Sequence, residues 1–123
     1  MLPKQHRLPG HLVYKTLNST TAYHSPLFSL KILKLKKDTQ PSMIGFIIST
    51  KLSKLAVQRN RIKRQLKAAI YPQLKNLHPN YQLVLLAKHP IKTASFIEIK
   101  KTLNNLLITA QVLTNEKNNS KAN

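Results

Sequence analysis

The chain has 123 residues, of which 21 are Lys or Arg and only three are Asp or Glu, so its formal net charge is +18 at pH 7. This length fits one domain with a modest core. The charge lies far outside the range of a typical enzyme and favours a polyanionic partner, with nucleic acid before an anionic membrane surface.

Cysteine is absent, which excludes disulfides and thiolate metal sites and is typical of a reducing compartment. The first residues lack the apolar stretch of a signal peptide, and no apolar run approaches the roughly 20 residues of a membrane span. We therefore expect a cytoplasmic protein without a membrane partner.

The N-terminal part is predicted to contain an arm, a short helix and two strands. Residues 1–11 include two prolines and a glycine and are expected to form a flexible arm. A short helix over 12–17 and a loop over 18–21 follow. Strands are predicted over 27–35 and 43–50, with a turn between them, because their apolar residues alternate with a period of two. One face of these strands is more apolar than the other, and we expect a helix to cover it.

The next predicted helix carries the most distinctive motif of the chain. Ser53 is expected to cap it, and Pro72 to kink or end it. Every arginine except Arg7 falls in the run Arg59-Asn60-Arg61-Ile62-Lys63-Arg64. Arginine grips phosphate with a planar fork of donors. On a helical wheel the basic residues oppose the apolar arc, with Arg59 near the seam, so the helix predicts a surface that holds an anion in a defined geometry.

The C-terminal part is predicted to contain one strand and one helix. Residues 81–87 are nearly all apolar, which favours a central strand. Ser95 and Glu98 form a capping-box pattern at the start of the last helix. The polar segment 114–123 is expected to be a disordered tail, which leaves a single domain over 1–113. The order of elements predicts a small α/β sandwich with helices on at least one sheet face.

The stretch from Ile44 to Ile70 resembles the bacterial ribonuclease P protein component. The family pattern is a strand ending in Ser and Lys, a short turn, Ala-Val, and an Arg-Asn-Arg-hydrophobic-Lys-Arg helix. Here it reads GFIISTK over 45–51, then Ala56-Val57, then the arginine run. The resemblance implies an α+β sandwich with a mixed four-stranded sheet, similar to domain 2 of ribosomal protein S5. It also implies a left-handed crossover through the basic helix.

The resemblance further implies the roles of the partners. The catalyst would be an RNA subunit with Mg²⁺, held mainly by that RNA, and it would remove the 5′ leader of precursor tRNA. The protein would bind this RNA one to one, with no small-molecule cofactor and no catalytic residue of its own. The residues expected to hold the catalytic RNA are Arg59, Asn60, Arg61, Lys63, Arg64 and Lys67.

A cleft between the sheet and the N-terminal helix is expected to take the single-stranded leader, because aromatic rings stack on unpaired bases without regard to sequence. The candidates are Tyr14, Phe28, Lys31, Phe46, Ile48 and Lys51. Tyr14 stands where the family carries the first of two phenylalanines. Phe28 and Phe46 lie on apolar strand faces and fit a core position equally well.

Three other functions remain open from the residues alone. A general RNA-binding protein, of the ribosomal or chaperone kind, would have the same charge. A protein-only nuclease would need an acid–base pair, but the five histidines lie in predicted loops or in the arm, and several adjoin proline. A membrane-surface helix is disfavoured because the apolar arc of the basic helix is needed for the core and lacks tryptophan.

Overall fold

The computed structural model describes residues 2–18, 21–35 and 41–113. These ranges contain three α-helices, four strands and three short 3₁₀ segments. In chain order the helices and strands are α1 (Gly10–Leu17), β1 (Thr21–His24), β2 (Phe28–Lys34), β3 (Met43–Ile47), α2 (Ala56–Ile70), β4 (Tyr81–Ala87) and α3 (Phe96–Thr109). The 3₁₀ segments are Lys4–His6, Tyr71–Asn76 and His89–Thr93.

The strands form one mixed sheet in the order β1-β2-β4-β3. β2 is antiparallel to both β1 and β4, whereas β3 is parallel to β4. Since β3 and β4 are parallel neighbours, α2 is the crossover helix that joins them. The predicted central position of β4 is confirmed, and the sheet is the mixed four-stranded one that the resemblance implied.

The residue patterns predicted three strands, over 27–35, 43–50 and 81–87, and the structure contains a fourth strand, β1, that they did not show. Thr21, the last residue of the predicted loop, pairs with Ile32, and His24 at the other end of β1 pairs with Ser29. The strand is only partly buried and lies at the edge of the sheet. It therefore carries no alternating apolar pattern, and its strand form depends on pairing with β2 rather than on local periodicity.

One face of the sheet forms the main core. Phe28, Leu30 and Ile32 of β2 are almost fully buried there, as the period-two pattern predicted. They cluster with Ile44, Leu83 and Leu85 of the neighbouring strands and with the inner faces of α2 and α3. The inner residues of the two helices are Ile62, Leu66, Ala69, Ile70, Ile99, Leu103, Leu106 and Leu107.

The other face of the sheet is covered by α1. A Cβ atom on Gly45 would lie 3.1 Å from Cγ2 of Val13, so the absent side chain is what allows α1 to approach β3 closely. The Thr16 hydroxyl lies 3.1 Å from Oε1 of Gln82 on β4, and both residues are buried. Helices therefore cover both faces, and β3 forms an edge between α1 and α2.

The predicted arm is packed from residue 2 onward rather than free. Leu2 and Leu8 are buried. Leu8 N donates to the Ile44 carbonyl over 3.2 Å, and Arg7 forms a parallel bridge with Ile44. Nδ1 of His6 lies 2.7 Å from the Ser42 carbonyl oxygen. Isolated leucines give no periodic signal, so the sequence did not show that this segment lies along the edge of β3.

The ends of the helices agree with the predictions in two cases and differ in one. The Ser95–Glu98 capping box is confirmed, with Glu98 N donating to Ser95 Oγ over 3.1 Å. α2 ends just before Pro72 and continues as a 3₁₀ turn. Ser53 is not the cap of α2, because the helix begins at Ala56 and Ser53 Oγ accepts from Leu55 N instead.

The predicted tail 114–123 and most of the predicted turn between β2 and β3 lie outside the described residues. None of the helices within the described ranges has the length and apolar content needed to cross a bilayer.

Candidate nucleic-acid interface

The basic residues of α2 share the outward side of one helix. Ile62 and Leu66 are fully buried against the core, and this fixes the rotation of the helix about its axis. The basic motif and Lys67 consequently face away from the core. Asn60, Arg61, Lys63 and Arg64 are exposed, and Arg59 and Lys67 are half-buried. We call this set of six residues the basic face.

Two guanidinium groups of the basic face are held by backbone carbonyls. Nη1 of Arg59 donates to the Ser53 oxygen over 2.9 Å, which ties the first turn of α2 to the loop before it. Nη2 of Arg61 donates to the Lys92 oxygen over 3.3 Å. A guanidinium has five N–H donors, so each group keeps donors for a phosphate while its position is restrained. Such restraint reduces the side-chain entropy lost on binding.

The charge of this surface has little internal compensation. In the described part of the chain the only acidic residue is Glu98, which lies in the first turn of α3 and accepts hydrogen bonds from Ser95. The positive potential of the basic face is therefore available to an external polyanion.

A cleft lies between α1, the β3 end of the sheet and the N-terminal half of α2. Its volume is about 490 Å³. Its lining combines an exposed ring, an apolar floor and a basic wall. Tyr14, which is 70% exposed, stands at the α1 side. The residues that line the cleft are Gly10, Val13, Tyr14, Leu17, Phe46, Ile47, Ile48, Leu86, Arg59, Asn60 and Lys63.

The structure brings together half of the residues predicted for the leader cleft. Tyr14, Phe46 and Ile48 line it. Phe28 does not, because it is fully buried in the core on the α2 and α3 side of the sheet. Lys31 is half-buried on β2, and Lys51 is exposed in the turn after β3. Neither lysine lines the cleft.

On the α1 side of the cleft the sequence prediction included Tyr14 but missed the other three lining residues. It also missed the basic wall of the cleft, whose residues were predicted only to hold the RNA subunit. Gly10, Val13, Tyr14 and Leu17 recur at helical spacing on α1, and this signal was available in the sequence. The basic wall was not predictable in this way. It exists because β3 lies at the edge of the sheet, where residues of α1 and α2 can line the same cleft.

The histidines lie on different elements. His6 bonds to the Ser42 carbonyl, and Nδ1 of His24 lies 2.8 Å from Oγ of Ser29, so neither of these two contacts involves a carboxylate. His11, His78 and His89 are exposed. Within the described residues, no group of three His, Cys, Asp or Glu side chains is arranged to hold a metal ion.

Comparisons with known proteins agree on one family. Residues 2–111 match the family model described as Ribonuclease P. A ribonuclease P protein component from Pseudanabaena is 37% identical over 114 residues, which cover 92% of this chain and 97% of that protein. One from Synechococcus is 32% identical over 116 residues, covering 92% and 87% respectively.

Solved structures show the same fold. A Staphylococcus aureus RNase P protein mutant, described as having defective mRNA degradation activity, superposes with a TM-score of 0.79 at 20% identity. The match covers 89% of this chain and 92% of that one. The Thermotoga maritima RNase P protein gives a TM-score of 0.71 at 18% identity, with 82% and 94% covered.

Proposed function

The chain belongs to the bacterial ribonuclease P protein family and is a protein subunit of ribonuclease P, and we propose that it binds two RNAs through adjoining surfaces. The basic face of α2 holds the RNA subunit. The cleft beside α1 holds the single-stranded 5′ leader of precursor tRNA. The observation that carries this proposal is that Arg59, Asn60 and Lys63 belong to the basic face and also form one wall of the cleft.

The basic face suits a folded RNA because its charges are fixed on a rigid helix. Arg61 and Arg64 point outward and can pair with phosphates, each through a planar fork. Asn60 can donate and accept at a sugar or base edge. Recognition of backbone and shape in this way is typical of protein contacts to structured RNA.

The cleft suits an unpaired strand because it combines an exposed ring with an apolar floor. Tyr14 offers a stacking face, and the half-buried Phe46 and Ile48 add apolar surface to the cleft lining. Stacking of a base on an aromatic side chain contributes roughly 1–3 kcal/mol and tolerates any sequence. A leader bound here would have its phosphates next to Lys63.

The division of labour in the assembly follows from the same side chains. Mg²⁺ prefers oxygen ligands, chiefly carboxylates and phosphates, and the only described carboxylate, Glu98, serves the capping box. These residues do not fit a magnesium site. We therefore assign the metal mainly to the RNA subunit and the cleavage chemistry to that RNA, with one protein bound to each RNA.

The test is reconstitution with a bacterial ribonuclease P RNA at low Mg²⁺, followed by cleavage of a precursor tRNA. We expect strong stimulation over RNA alone and no cleavage by protein alone. Tight binding without stimulation of a cognate RNA would indicate a general RNA-binding protein instead. Cleavage by the RNA-free protein would contradict the assignment of catalysis to the RNA.

A further inference from the structure

A row of hollows continues from the cleft along one side of α2. The cleft shares Lys63 with a second hollow, which lies between the N-terminal segment and α2. The second hollow shares Lys67 with a third, at the C-terminal end of α2. Tyr71 lines the third hollow and also a fourth, which reaches back to His6.

The residues that link these hollows form one stripe. Lys63, Lys67 and Tyr71 are spaced by four residues each, so they lie one above the other on the helix surface. Tyr71 N donates to the Lys67 carbonyl, which extends the helical geometry to the tyrosine. The stripe therefore runs from the wall of the cleft to the far end of the helix, over roughly 12 Å at about 1.5 Å a residue.

Tyr71 is an exposed ring on a rigid support. Its side chain is 57% exposed, although Ile70, just before it, and Leu74, one turn after it, are buried in the core. Side chains on a helix lean toward its N-terminus, which brings the ring toward Lys67. Arg64 lines the same hollow. An aromatic face with cationic neighbours is the combination that binds unpaired nucleotides.

We propose that this stripe extends the leader site, so that the phosphates of the leader follow Lys63 and Lys67 and a base stacks on Tyr71. The two lysines line the second hollow, so they would border the leader on one side while the rest of the basic face holds the RNA subunit. The inference rests on the proposed function, because it takes the cleft as the place where the leader enters. Lys63 makes the stripe continuous with the cleft. Stacking on a lone exposed ring requires a base free of pairing, as a leader base is. Only leaders long enough to pass beyond the cleft would reach Tyr71.

The test combines a tyrosine substitution with a series of leader lengths. Holoenzyme is reconstituted with wild-type protein, Tyr71→Ala or Tyr71→Phe, and the Kd for each precursor tRNA is measured. With long leaders, Tyr71→Ala is expected to weaken binding by about 5- to 150-fold, the effect of losing one stacked base. With the shortest leaders it is expected to have no effect, and Tyr71→Phe is expected to bind like wild type throughout.

Ile108→Ala is the matched control. Ile108 is also a large exposed side chain on a helix, at 61% exposure on α3, and it lines none of the four hollows. We expect it to leave binding unchanged at every leader length.

Three results would overturn the inference. An equal loss at all leader lengths, or weaker binding of Tyr71→Ala to the RNA subunit alone, would assign the ring to the RNA subunit. Unchanged binding at every length would remove Tyr71 from RNA recognition. Failure of the wild-type protein to stimulate cleavage is a separate outcome that would reject the proposed function, and with it this extension.

Discussion

Replacing Arg59, Arg61 and Arg64 together with alanine is expected to flatten the salt dependence of binding to ribonuclease P RNA. Each phosphate contact adds roughly 0.7–0.9 to the slope of log K against log salt. Arg61 and Arg64 are exposed, and Arg59 is half-buried at the cleft wall. If each arginine pairs with one phosphate, the slope should fall by about two to three units.

The assay is a series of Kd values for the RNA subunit at increasing salt, with wild type and variants measured side by side. The triple Arg→Lys variant keeps the charge, so its slope should match wild type, while the loss of the planar fork should lower its affinity at every salt concentration. Lys100→Ala with Lys101→Ala removes charge from exposed positions on α3 and should leave the slope unchanged.

An unchanged slope in the alanine variant would show that these arginines do not face phosphate, and the RNA subunit would have to bind elsewhere. A fall of the same size per charge in the α3 control would show a general effect of net charge. Urea unfolding of each variant is needed as well, because the bond from Arg59 to the Ser53 carbonyl also ties the start of α2 to its loop.

Further predictions concern the cleft and the fold. Tyr14→Ala should weaken binding of leader-containing precursor tRNA to the holoenzyme without changing the urea midpoint. Phe28→Ala should instead lower the free energy of unfolding by about 3–5 kcal/mol. The reverse pattern would place Tyr14 in the core and Phe28 in the leader site. Ser95→Ala should destabilise the protein by about 0.5–2 kcal/mol through loss of the cap on α3, seen as a lower Tm, and an unchanged Tm would mean the cap is dispensable. Gly45→Val should cost about 1–3 kcal/mol in urea unfolding because the new side chain overlaps Val13, and full stability would show that α1 can move away.

Periodic and capped segments were predictable from the sequence because their signal is local. The alternation in β2, the apolar run of β4 and the Ser95–Glu98 box each describe a short stretch of chain and its nearest neighbours. The inner arc of α2 was equally readable, since Ile62 and Leu66 lie on one side of a helical wheel. The basic face then followed as the opposite side.

Features that depend on distant contacts were not predictable in the same way. β1 is a strand because β2 pairs with it, and Leu2 is buried because the N-terminal segment lies along β3. Phe28 shows the limit most clearly. Its period-two pattern placed it on an apolar face, but only the packing of α2 and α3 shows that Phe28 is buried in the core. Phe46 lies on the same face of the sheet, yet on the edge strand β3 it lines the cleft.

The order of strands in the sheet has a consequence for how the protein is made. Among the described strands β4 is the last to be synthesised, yet it lies between β2 and β3 and pairs with both. Until residues 81–87 are synthesised, β3 has no strand partner within the sheet and the inner side of α2 has no completed sheet to pack on. A nascent chain therefore carries its arginine motif for some time before it can present that motif on an ordered surface, since native contacts of long sequence separation form late. If the basic face binds the RNA subunit as proposed, this binding requires residues 81–87 to have been synthesised.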